Sequence, residues 1–270
     1  MPAPITITTD FGLEDGYVGT MKGVILSIAP DVPIVDITHA IRPQHIRQAI
    51  YILSTATPYF PRNTIHIVVV DPGVGTERRP IAVFTERATY IGPDNGVFSG
   101  VYRAETVREI RQLSNPAYRL PRVSNTFHGR DIFAPAAAHL ARGVAPADLG
   151  PRVTDPVTIP LPVPERRADG SLHGQVVHAD RFGNLITDIP EAWLGGRTDW
   201  VFTIGGRRIV GFHSTYGRVA PGELVVLGGS DGLIEVAVRE GNAAAFLGIG
   251  PGAAFSAYPA DASVIPPQES

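Results

Sequence analysis

The spacing of apolar positions changes partway along the chain, and the change divides the chain in two. Ile5–Thr9 is a short β-branched run that predicts a strand, ending in the polar Asp10-Phe11-Gly12. From Tyr17 to Ile28 apolar residues recur at helical spacing until Ala29-Pro30 stops them. Val32–Ile37 reads as a strand and Gln44 to Tyr59 as a helix that ends before Pro61. Ile65–Val70 is an apolar run, interrupted only by His66, of the kind buried on both faces of a sheet, and it stops at Asp71-Pro72-Gly73. Ile81–Phe84 and Thr89–Ile91 read as two more strands. Asp131 to Ala141 reads as a helix whose first turn can hold Pro135. Strands alternating with helices predict an α/β N-terminal domain with a mostly parallel sheet over residues 1–152.

Prolines at 151, 156, 160, 162 and 164 then interrupt any period, and residues 153–170 read as a linker. Beyond it the pattern turns to short strands between glycine turns: Gly174–Ala179, Leu185–Asp188, Trp200–Ile204, Arg208–Phe212, Glu223–Leu227, Leu233–Val238 and Ala253–Tyr258. That spacing predicts a small β-barrel or sandwich over residues 171–270, with Pro266–Ser270 as a frayed end.

Composition narrows the possible chemistry. Of 270 residues, 44% are hydrophobic and 18% charged, so a sizeable core is expected and global disorder is not. A net charge of -3 without a basic stripe makes nucleic acid a poor partner. With no cysteine, disulfides, thiol nucleophiles and Cys-ligated zinc are excluded. The N-terminus lacks a basic segment followed by an apolar stretch, and no run of about 18 apolar residues occurs. A cytoplasmic protein that does not enter a membrane is the expectation. The 29 glycines and 25 prolines imply that loops present the chemistry.

Polar groups concentrate at four places. Asp10 and Asp71 each follow a predicted strand, where ligands of open α/β sheets bind, so the two can share one crevice. Asp10 has two oxygens suited to paired sugar hydroxyls, or it caps the next turn. Asp71 ends an apolar strand and needs a partner if buried. Across the glycine loop Arg78 is placed to supply one, with Arg79 as the alternative and loop pinning as the plainer use. His128 stands between Phe127 and Gly129 at a loop-to-helix boundary and reads as structural or catalytic. It forms no i, i+4 pair with His139 and no HExxH occurs, so metal binding is not expected. Asp180, Phe182 and Asn184 alternate, which places them on one side of a strand, unless Gly183-Asn184 is a hairpin turn. Asp94-Asn95-Gly96 reads as a structural turn. The serine-hydrolase elbow GxSxG is absent.

Taken in order, TTDFG (Thr8–Gly12), VDITH (Val35–His39), VVDPGVGT (Val69–Thr76), GPDNGVF (Gly92–Phe98), TFHGRDIFAPAAAHLA (Thr126–Ala141), DRFGN (Asp180–Asn184) and SDGLIEVAV (Ser230–Val238) resemble one family over roughly residues 5 to 258. That family is the S-adenosylmethionine (SAM) hydroxide adenosyltransferases, which hydrolyse SAM to adenosine and L-methionine and are related to the SAM-dependent fluorinase and chlorinase. The resemblance implies an α/β domain followed by a β-barrel, a homotrimer with SAM held between subunits, and no cofactor. It assigns Asp71, Arg78 and His128 to water activation and Asp10 to the ribose hydroxyls. Asp180 would take the methionine amino group, Ser230 would lie near its carboxylate, and Phe182 and Asn184 would serve the adenine side. The fluorinase differs: it has tyrosine and serine where this chain has His128 and Gly129, lacks an aspartate at position 71, and carries a long insertion missing between Ile81 and Tyr90. A carboxylate at Asp71 would repel a halide, so water is the expected nucleophile. A halogenase of this fold and a non-catalytic SAM sensor are the alternatives.

Overall fold

The computed structural model describes residues 3–262, so the frayed end expected at Pro266–Ser270 lies outside the described residues. Two compact units divide between Leu161 and Pro162.

The first unit contains β1 (Ile5–Thr9), α1 (Tyr17–Ile28), β2 (Ile34–Thr38), α2 (Ile46–Ala56), β3 (Ile65–Val69), β4 (Pro80–Thr85), β5 (Thr89–Pro93), α3 (Ser99–Ala104), β6 (Val107–Gln112) and α4 (Ala134–Ala141). Its six strands lie in the order β2-β1-β3-β5-β4-β6. Strands β2, β1, β3 and β5 run parallel, and β4 is antiparallel to both neighbours. One face of the sheet buries Ile5, Ile7 and Ile67 against Met21 and Ile25 of α1 and Ala137 of α4. The other buries Val68, Val83 and Tyr90 against Leu53 of α2 and Val101 of α3. Because β3 is covered on both faces, its run is apolar on both, with His66 the one polar residue.

Two elements escaped the periodicity. β6 carries Arg108, Glu109 and Arg111, as suits an edge strand, and α3 is too short to show a helical period. The predicted helix Asp131–Ala141 is in fact two pieces. Gly129–Phe133 forms a π-helical turn, and α4 begins after it with Pro135 in its first turn. The proline explains the break: it lacks the N–H that a continuous helix would use.

The chain visits β2 on one side of β1 and then returns to place β3 on the other. This reversal leaves a switch point at the carboxyl ends of β1 and β3. Thr9 pairs with Val69, so Asp10 and Asp71 follow adjacent strand ends.

The second unit is an antiparallel, nearly closed barrel. Its strands are β7 (Glu165–Arg166), β8 (Leu172–Ala179), β9 (Leu185–Pro190), β10 (Trp200–Ile204), β11 (Arg207–Val210), β12 (Leu224–Gly228), β13 (Leu233–Val238) and β14 (Ala254–Pro259), and α5 (Ala243–Leu247) precedes the last. The order is β11-β10-β14-β8-β9-β13-β12, with β7 on β8. Leu172, Val176, Phe202, Val226, Val236 and Phe255 fill the interior. Of the two readings of Asp180–Asn184, one face of a strand or a hairpin turn, the turn is what forms, between β8 and β9. Gly183 at φ +84° lets the chain reverse there, which an alternating strand would not allow.

A polar ladder crosses the first sheet. Thr6, His66 and Tyr90 occupy paired positions on β1, β3 and β5. The Thr6 hydroxyl lies 2.7 Å from His66 Nδ1, and the imidazole stacks on Tyr90 at 5.1 Å. Burial pushes the His66 pKa down to about 3. An unfolded chain holds that proton up to about pH 6.5, so it binds more protons than the folded chain between these values. This contribution to stability is complete above pH 6.5 and falls toward pH 3, by at most about 1.4 kcal/mol per pH unit. Urea unfolding at pH 7 and 4.5 measures the slope. His66→Gln should flatten it, and an unchanged slope would exclude His66 as its source.

Candidate active site

Val69 and Val70 are buried, so Asp71 emerges directly from the core. The loop after it folds back on itself. Val74 N–H donates to the Asp71 carbonyl, Thr76 N–H and Oγ1 donate to the Gly73 carbonyl, and Arg78 N–H donates to Thr76 Oγ1. Gly75 is required here. It adopts φ +77°, and a Cβ would lie 2.2 Å from the Asn125 carbonyl. The close approach packs the loop against the segment leading to His128.

This fold-back delivers Arg78 to Asp71. Arg78 Nε donates to Oδ1 at 3.1 Å, and Nη2 bonds Oδ2, giving a forked pair. Both side chains are nearly buried, 6% and 4% exposed. The guanidinium lies over the Phe133 ring at 5.6 Å. Arg78 Nη2 also lies 2.9 Å from His128 Nδ1. Guanidinium has no acceptor, so His128 Nδ1 must accept and the imidazole hydrogen resides on Nε2. Arg78 Nη1 is buried and has no hydrogen-bond partner in the protein.

His128 is held by the π-helical turn. Fully buried Asp131 accepts from Ser124 N–H at 2.8 Å and pairs with Arg130, while Asp131 N–H donates to the Phe127 carbonyl. Gly129 packs where a Cβ would lie 3.1 Å from Met21 Sδ and 3.5 Å from Val69 Cγ2. Burial, then the Arg78 charge, lowers the His128 pKa below the usual 6.5. Burial raises the Asp71 pKa above 3.8, against the pull of Arg78.

Arg79 faces elsewhere. It pairs with Asp94 and Asp155, so the arginine that meets Asp71 is Arg78. Asp10 accepts from Gln44 N–H at 2.7 Å through Oδ2. Thr9 Oγ1 lies 2.9 Å from His39 Nδ1 and accepts from Phe11 N–H, and the His39 carbonyl accepts from Gly12 N–H. VDITH thus braces the loop carrying Asp10. Phe11, Tyr17 and Phe127 form an aromatic cluster with ring centroids 5.3–5.8 Å apart.

In the second unit, Asp180 organises its own turn. Oδ1 accepts from Phe182 and Asn184 N–H, both at 2.9 Å, and Oδ2 accepts from Asn184 Nδ2 at 3.0 Å. Phe182 stands 75% exposed. Ser230 is exposed in the β12–β13 turn, its Oγ 3.5 Å from Asp231. Sequence reasoning missed Tyr216 and Glu235. Buried Glu235 on β13 accepts a 2.6 Å bond from the Tyr216 hydroxyl. Burial, with Asp180 and Asp231 nearby, raises its pKa. The signal was a charged residue inside the apolar run LIEVAV. Among the described residues no group of three or more His, Asp or Glu could hold a metal ion, and no helix is long and apolar enough to cross a membrane.

Carboxylates at the switch point of a parallel sheet, with a buried Asp–Arg–His set beside them, define an α/β protein with a polar reaction centre. The sequence matches the SAM hydroxide adenosyltransferase N-terminal domain over residues 5–150 and the corresponding C-terminal domain over residues 174–256. The chain belongs to the SAM hydroxide adenosyltransferase family. It is 44% identical over 254 residues to the (R)-S-adenosyl-L-methionine hydrolase of Thermus thermophilus, covering 91% of this chain and 96% of that protein. It is 29% identical over 211 residues to the fluorinase of Nocardia brasiliensis, covering 68% of this chain and 70% of that protein. A solved structure of an uncharacterised conserved protein from Thermotoga maritima matches with a TM-score of 0.89 and 36% identity, over 94% of this chain and 99% of that one.

Replacing Arg78 by Met would strand a buried carboxylate. A loss of about 3–5 kcal/mol in urea unfolding at pH 7 is expected. A loss under about 1 kcal/mol would show that the pair contributes no more than a surface one.

Proposed function

We propose that this chain hydrolyses SAM to adenosine and L-methionine, with water attacking the ribose 5′-carbon. The observation that carries the reading is the assembled Asp71–Arg78–His128 set in a chain 44% identical to a named SAM hydrolase. The fluorinases are more distant relatives, and a buried carboxylate at Asp71 disfavours a halide nucleophile.

The hydrogen-bond pattern divides the labour. His128 Nδ1 is occupied by Arg78, so Asp71 is the proton acceptor and His128 contributes a neutral N–H. The buried, unpartnered Arg78 Nη1 is the donor available to an oxygen that becomes more negative as its proton leaves. The oxygen of water bonds to C5′, the C5′–S bond breaks, and its electron pair neutralises the sulfonium to the methionine thioether. Cation and developing anion disappear together, so a water-poor surrounding favours the transition state. General-base action supplies about 10²–10⁴-fold. In-line positioning supplies up to about 7–11 kcal/mol, so geometry outweighs proton transfer.

Asp10 serves the ribose hydroxyls. Asp180 and Ser230 serve the methionine end, where Glu235 and Tyr216 add a second carboxylate and hydroxyl, and Phe182 and Asn184 serve the adenine. The enzyme works in the cytoplasm as a homotrimer with sites shared between subunits, and needs no metal or cofactor.

Asp71→Asn should lower kcat at least about 100-fold while leaving SAM affinity within a few-fold. Chromatography of products from SAM, with and without chloride, tests the reading: adenosine supports it, a chlorinated nucleoside or unchanged SAM overturns it. The pH profile is a second check. His128 must stay neutral to accept from Arg78, and Asp71 must be ionised to accept a proton. Hence kcat/KM should fall on the acid side as Asp71, shifted up from its ordinary 3.8, and His128, shifted down from its ordinary 6.5, take up protons. A profile with no acid limb, or one that rises toward low pH, would contradict the assignment.

A further inference from the structure

The turn Asp94-Asn95-Gly96 follows β5 and bonds to the two backbone positions that flank the reactive loop. Asn95 Nδ2 donates to the Val70 carbonyl at 2.9 Å, one residue before Asp71. Asn95 Oδ1 accepts from Val97 N–H at 3.2 Å, which fixes the orientation of the amide. At the other end of the loop, Asp94 N–H donates to the Arg79 carbonyl at 2.9 Å, one residue after Arg78. The Asp94 carboxylate then divides its oxygens. Oδ2 accepts from Arg79 Nε at 2.9 Å, and Oδ1 accepts from Val157 N–H at 2.8 Å. Asp94 is buried, so these bonds are poorly exposed to competition from water.

The loop Asp71–Arg79 therefore has both ends tied to one short turn. The forked bond between Asp71 and Arg78 needs two side chains, seven residues apart in sequence, to meet at fixed angles. The pairing of β3 with β5 ends at Ile67–Ile91, and on the other side the last pair with β1 is Thr9–Val69, so the ladders stop short of Val70. Asn95 supplies the next fixed point, at the Val70 carbonyl.

We propose that Asn95 is a positioning residue for the hydrolytic reaction, acting through the Val70 carbonyl on the orientation of Asp71, with Asp94 holding the Arg78 end of the same loop. The inference rests on the reading of Asp71 as the proton acceptor. A displacement of about 1 Å can cost on the order of 100-fold in rate, so loss of this anchor acts on turnover more than on substrate binding.

The test compares wild type, Asn95→Ala, Asp71→Asn and the double variant for adenosine release from SAM, with SAM affinity measured by calorimetry. Asn95→Ala should lower kcat about 10–100-fold with affinity within about threefold of wild type. In the Asp71→Asn background the same change should have little further effect, because both substitutions disable one unit. If the two losses multiply, or if Asn95→Ala keeps kcat within threefold of wild type, the proposal is overturned. If Asn95→Ala fails to fold, Asn95→Ser, whose side chain is too short to reach the carbonyl, takes its place in the same cycle. Wild-type protein that releases no adenosine would sink the functional reading and this proposal with it, an outcome distinct from an active wild type and an unaffected variant.

Discussion

Everything chemical in the first unit depends on placing an ion pair where water is scarce. Asp71 and Arg78 are both nearly buried, and neither would be stable there alone. The fork between them offsets desolvation and fixes two planes at once, and it leaves one guanidinium nitrogen, Nη1, without a partner. It also decides the tautomer of His128, since the imidazole nitrogen facing a guanidinium must accept. Charge, geometry and proton inventory at the centre follow from that pairing.

The rest of the α/β unit keeps the pair from relaxing. The sheet reverses its strand order at β1 and β3, bringing Asp10 and Asp71 to adjacent strand ends. Gly75 allows the reactive loop to press against the Asn125 carbonyl, and the π-helical turn fixes His128 from the other side. Buried Asp131 and Asp94 are each used up in holding backbone, although by residue type either resembles a catalytic acid. Their partners distinguish them from Asp71, whose cation also reaches a histidine.

The barrel unit follows a different logic. Asp180 spends both oxygens on its own turn, and this self-contained turn displays Phe182 to solvent while keeping Asn184 buried. Glu235 alternates with the interior residues Ile234 and Val236, so it lies on the other face of β13, where it accepts from a phenolic hydroxyl and burial disfavours its charge. A rigid frame of hydrogen bonds with a few projecting groups suits recognition more than bond making.

The chain's own residues determined its architecture and singled out the polar groups that the first unit brings together. A short, largely apolar run read as a strand covered on both faces, and Asp71 at its end could not be buried unpaired. Ordered motifs placed Arg78 and His128 in the same reading. Other features were illegible because they depend on contacts distant in sequence. The division between Arg78 and Arg79 arises from which carboxylate each one meets, and Asp94 and Asp155 lie 15 and 76 residues from Arg79. At Asp180–Asn184 the sequence left strand and hairpin turn open, and the positive φ of Gly183 decides for the turn. β6 stayed hidden because an edge strand carries charge where periodicity looks for apolar positions. Which nitrogen of His128 holds its hydrogen is likewise a tertiary fact, since a guanidinium 50 positions away in the chain decides it.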